Sequence, residues 1–118
     1  VTLLSGEVVL ASSSSLGSPH WKCMETHGWI GFRNVVSGKC LGRNEHDMLR
    51  CTVSQHKDWE YFLTMPTEEG NHVLLMTKDG KIRPVGWKTG KNDKGKLAMV
   101  EPRAADVEVL HWQFVKLP

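Results

Sequence analysis

The chain has 118 residues, 40% of them hydrophobic and 24% charged, and a formal net charge of +2. That length suits one domain around one core, and no apolar run approaches the ~18 residues that a membrane-spanning helix needs. So small a net charge, with no aromatic-rich strand pattern for base stacking, argues against a nucleic-acid partner.

Helical periodicity is almost absent, and short apolar runs broken by Gly, Asp, Asn and Ser predict strands throughout. In chain order the first set is Val8-Val9-Leu10, Trp21-Lys22-Cys23 and Trp29-Ile30-Gly31-Phe32-Arg33. A second set is Cys40-Leu41, Leu49-Arg50-Cys51 and Trp59-Glu60-Tyr61-Phe62-Leu63. A third is Val73-Leu74-Leu75, Leu97-Ala98-Met99 and Trp112-Gln113-Phe114-Val115. Apolar residues alternate with outward-facing ones in the middle strand of each set, the period of a half-buried strand. Turn chemistry falls between them, as in Arg43-Asn44-Glu45-His46-Asp47 and Lys78-Asp79-Gly80-Lys81.

The evenly spaced Gly6, Gly38 and Gly70 each open one of these sets, which points to an internal threefold repeat. The approximate copies are residues 1–34, 35–66 and 67–118. The third copy is enlarged by a strand-like piece over residues 81–87, a loop over 88–96 and a long connection over 101–108. Insertions of this kind gather in loops and often mark a working face.

Three roughly four-stranded copies suggest an all-β barrel with a hairpin cap and pseudo-threefold symmetry, and the chain resembles the β-trefoil fold over nearly its whole length. The run Val36-Ser37-Gly38-Lys39-Cys40-Leu41-Gly42, with Cys51 and Trp59 downstream, resembles the repeats of ricin-B-type lectins. Residues 29–62 are also similar to small trefoil proteins of filamentous fungi. The lectin resemblance implies carbohydrate or glycoconjugate binding. Its sugar site, however, uses an aspartate where Gly42 stands and a glutamine two residues before each tryptophan, where this chain has His27, Lys57 and Leu110. No site residue is therefore carried over. In a trefoil the repeated Trp29, Trp59 and Trp112 are expected in the core, with Trp21 beside them.

The ligand-binding residues expected from the loops are Trp87, Lys88, Asn92 and Asp93, joined by Asn44 and Asp47 from the neighbouring copy. Trp87 has no equivalent in the other copies and would offer a flat apolar platform to a sugar ring. Residues 78–96 hold seven basic side chains against two acids, and Lys91, Lys94 and Lys96 form an expected anion-binding set. That loop resembles the one with which fibroblast growth factors hold sulfated glycans. A protein partner is the further alternative, through a surface like that of the fascin-like trefoils. The 101–108 connection, stiffened by Pro102, would serve instead if the chain resembles the protease-inhibitor trefoils.

Catalysis is not expected, and neither is a cofactor. The six histidines lack metal-ligand spacing, and no Gly-x-Ser-x-Gly elbow occurs. Cys23, Cys40 and Cys51 match neither a disulfide framework nor a zinc motif. Cys40 and Cys51 flank a hairpin, either facing each other in a bond or standing as two buried thiols, the expected state. With no secretory signal visible in Val1-Thr2-Leu3-Leu4, the expected location is cytoplasmic.

Overall fold

The structure, a computed structural model, describes residues 2–4, 7–9, 17, 19–89 and 96–114. Strands β1 (Thr2–Leu4) and β2 (Glu7–Val9) pair as a small separate ribbon. The remaining strands are β3 (Trp21–Thr26), β4 (Trp29–Asn34), β5 (Cys40–Arg43), β6 (Leu49–Val53), β7 (Phe62–Pro66), β8 (His72–Lys78), β9 (Lys81–Lys88), β10 (Leu97–Met99) and β11 (Val107–Val109). A 3-10 turn, Asp58–Glu60, precedes β7. The protein is all-β, and among the described residues no helix is long and apolar enough to cross a membrane.

Local chemistry explains the hairpins. His27 and Gly28, with φ of 52° and 87°, join β3 to β4, and Asp79 and Gly80, with φ of 51° and 76°, join β8 to β9. Two successive positive φ angles define the type I′ turn, whose twist matches that of paired strands. The repeated glycines have a backbone reason too: Gly38 (φ 73°) and Gly70 (φ 84°) each turn the chain just before β5 and β8. Gly6 lies outside the described residues.

The main sheet runs β10-β9-β8-β7-β4-β5-β6, with β3 added to β4 and β11 to β9. A bridge between Met48, next to β6, and Ala98 of β10 brings the two ends of this path together. The result is a nearly closed, barrel-like sheet. Its core holds Phe32, Leu41, Phe62, Leu74, Met76, Val85 and Met99, with Val8, Trp21, Ile30, Leu49 and Trp112 packed around them. Phe32 and Phe62 meet edge to face at 5.3 Å, the arrangement that ring quadrupoles favour.

The three sets of strands are not equivalent in pairing. β5 pairs directly with β6, whereas β9 lies between β8 and β10. Cys51 and Met99 are buried, while Cys23, aligned with them in sequence, is exposed.

The repeated tryptophans correct the expectation of a tryptophan core. Trp59 is 40% exposed, because the chain around it winds into the 3-10 turn instead of extending into a strand. Trp29 is half-buried and stacks on Tyr61 at 5.5 Å. Trp112 packs against the core without being enclosed, and Phe114, 44% exposed, stacks on Phe32 from the rim with ring centroids 6.0 Å apart. Phenylalanines fill the centre instead. Cys40 and Cys51 are buried free thiols, their sulfurs directed at the carbonyls of Ser54 and Lys39.

Candidate functional site

The site begins with Asn44. Its Oδ1 accepts the backbone N–H groups of His46 (2.8 Å) and Met48 (3.0 Å), while its own N–H reaches the Met48 carbonyl. This side-chain closure folds the β5–β6 turn tightly and lets Asp47 take a φ of 65°. Asp47 is thereby aimed at β8. Its Oδ1 accepts from Lys78 Nζ at 2.8 Å and lies 3.8 Å from Arg43. Its carbonyl accepts the Met99 N–H at 2.8 Å, which ties the same turn to β10.

The 101–106 connection is held down in the same way. Glu101 pairs with Arg83 of β9, Ala104 closes a turn on the Glu101 carbonyl, and Thr89 N–H reaches the Asp106 carbonyl at 2.8 Å. Instead of projecting, this segment becomes a wall.

Between the β5–β6 turn, the β8–β9 hairpin and this wall lies a cleft of about 430 Å³. Its apolar floor is Ala104 and Val107, both half-buried, together with the buried Met99 and Val100. One side carries the cations Lys78, Lys81, Arg83 and Lys88, all from the β8–β9 hairpin. Asp47, Glu101 and Asp106 face them, with His46 at the rim and Asp79 at the hairpin tip. Two ion pairs, Lys78–Asp47 and Arg83–Glu101, clamp the walls together. Each is partly exposed and contributes on the order of 1 kcal/mol at most. Among the described residues Lys81 and Lys88 make no ion pair.

The residues expected to form one site are thus divided. Lys88 and Asp47 both line the cleft. Asn44 shapes it through the turn and spends its side-chain oxygen there. Trp87 is not in the lining, and its indole N–H donates instead to Oε2 of Glu108, the residue paired with it on β11, at 2.9 Å. Lys96 is exposed, and its carbonyl accepts the Lys88 N–H. Asn92, Asp93, Lys91 and Lys94 lie outside the described residues.

Sequence reasoning missed His46, Glu101 and Asp106 as members of one site. Nothing local marks them, since they converge only through pairing of distant strands. Gly42, where the lectin pattern has its aspartate, is buried beneath the Glu60 carboxyl. Among the described residues no group of three or more His, Cys, Asp or Glu side chains is arranged to hold a metal ion. Comparison of the chain with protein-family models, with curated proteins and with solved structures finds no match in any of the three.

Proposed function

We propose that the chain is a non-catalytic, lectin-like binding domain of the β-trefoil kind, which holds carbohydrate in the cleft between the β5–β6 turn and the β8–β9 hairpin. The observation that carries this reading is the pairing of an apolar floor with walls that both donate and accept hydrogen bonds. A sugar ring has the complementary surface: a C–H face to lay on Ala104 and Val107, and hydroxyls that both donate and accept. Lys88 supplies donors, Asp47 and Asp106 acceptors. The trefoil part of the reading draws on the barrel-like sheet and on the turns at Gly38 and Gly70. One small ring buries little surface against the cost of lost mobility, so affinity for a single sugar is weak.

A second reading, an anionic glycan on the basic side, draws on the origin of all four cleft cations in one hairpin. It ranks lower because the cleft carries as many carboxylates as cations. An array of neutral and sulfated glycans, probed at low and physiological salt, separates the two. Salt-resistant binding to a neutral sugar, weakened roughly tenfold by Lys88→Ala, supports the first reading. Binding confined to sulfated sugars and lost with salt supports the second. Trp87→Ala is the control outside the lining, and a blank array sinks both.

A further inference from the structure

The turn between β4 and β5 breaks the usual rules of turn composition. Val35 and Val36 stand at its apex, 64% and 80% exposed, the two most exposed large apolar side chains among the described residues. Turns favour Gly, Asn, Asp and Ser, whose backbone preferences suit them, over β-branched residues. Single exposed apolar residues are ordinary, but an adjacent pair displayed at a tip is not.

The tip is also held firmly. Asn34, fully buried, accepts the N–H groups of Val36 (3.1 Å) and Ser37 (3.0 Å) on its side-chain oxygen. Its backbone bonds Lys39 and Gly38, and Val35 N–H reaches the His20 carbonyl at 3.0 Å. Arg33 braces the base from outside, donating to the carbonyls of Gly38 and Ser54. The valines are therefore presented on a rigid mount, with little left to order on contact.

The surroundings carry one sign of charge. Three segments gather at this turn: residues 19–22, through the His20 contact and the Trp21–Asn34 register; residues 33–40 themselves; and residues 51–54, through the Arg33, Cys40 and Cys51 contacts. Together they contain Lys22, Arg33 and Lys39 and neither Asp nor Glu. Lys22 and Lys39 are exposed. The cleft, by contrast, carries four cations and four carboxylates.

We infer that the Val35–Val36 tip and its collar of lysines form a contact with an anionic lipid surface, the valines entering the interface and the lysines meeting acidic headgroups. An apolar element with flanking lysines is the chemistry by which peripheral proteins rest on such membranes. A socket on another protein is the competing occupant, and the following test decides between them.

The measurement is co-sedimentation of the whole chain with vesicles of phosphatidylcholine alone and of phosphatidylcholine mixed with phosphatidylserine. The chain is expected to pellet with the serine-containing vesicles and to be released by salt. The double change Val35→Ser, Val36→Ser, and separately Lys39→Glu, should each lower the bound fraction by about tenfold. Val36→Leu, which keeps an apolar tip and enlarges it, should raise it, so the inference stays testable if the double variant unfolds. No pelleting with either vesicle overturns the inference and leaves the tip to a protein partner. Pelleting that is equal on both compositions, or indifferent to the valines, overturns it as well.

Discussion

Gly42 and Glu60 occupy one space. A β-carbon built on Gly42 would stand 2.6 Å from Glu60 Oε2 and 2.8 Å from the Trp59 carbonyl, well inside van der Waals contact. The buried carboxyl thus excludes a side chain at the position where the lectin pattern places an aspartate.

Replacing Gly42 by Ala must push back both a backbone carbonyl and a buried carboxyl. We expect a loss of about 1–3 kcal/mol, the usual range for overpacking a tight interior. Gly42→Asp, which adds a charge beside Glu60, should cost more or prevent folding. Denaturant unfolding of the purified variants checks both; wild-type stability in Gly42→Ala would show that Glu60 moves aside freely.

Glu60 itself makes stability depend on pH. Burial raises its pKa above the ordinary value of 4.5, with Arg50, 3.6 Å away, and Arg43 opposing the shift and Asp58 adding to it. The folded chain therefore binds the proton more tightly than the unfolded one. This contribution is fully present below the unfolded pKa and is lost as pH rises through the folded pKa. Unfolding free energies measured from acidic to neutral pH should fall over the window that opens near 4.5, and Glu60→Gln should flatten that fall. A slope unchanged in the variant would assign it to another group.

Trp59 and Phe62, three residues apart, should respond unequally to truncation. Phe62 is fully buried at the centre of the core, and Phe62→Ala should cost about 3–5 kcal/mol. Trp59 lies outside, with the guanidinium groups of Arg43 and Arg50 at 4.9 Å and 5.8 Å from its ring. Losing those two cation–π contacts in Trp59→Ala should cost about 1–2 kcal/mol. Thermal unfolding of the pair gives the comparison. Equal losses would mean that Trp59 is packed inward.

The thiols should react in two classes. Cys23 is exposed, whereas burial raises the pKa of both Cys40 and Cys51 and keeps them as unreactive thiols. An Ellman-type reagent at neutral pH should label one cysteine per native chain quickly and the other two only after denaturant. Rapid labelling of all three would contradict this burial.

Much of the strand pattern was legible in the chain, because alternation and turn chemistry act between neighbours. Leu49-Arg50-Cys51 reads as a strand and forms β6; Asp79-Gly80 reads as a turn and joins β8 to β9. The site was far less legible. Trp87 looks like a ligand platform in sequence, yet its indole is bonded to Glu108 across the β9–β11 pair and is not among the residues that line the cleft. Trp59 reads as a repeated core residue, but the 3-10 turn changes the phase of the chain just before β7, so that Phe62 points inward in its place.

By itself, then, the sequence determined an all-β chain, the turns at residues 43–47 and 78–81, and the glycines, Gly38 and Gly70, that turn the chain before β5 and β8, since each depends on side chains and backbone angles within a few residues. Only the tertiary structure decided which tryptophans face out, that Glu60 fills the space over Gly42, and that Asp47 meets Lys78 while Glu101 meets Arg83. Those pairings join residues far apart along the chain. The barrel's closure across Met48 and Ala98 links the β5–β6 turn to the strands that form the rest of the cleft, and no local pattern encodes that closure.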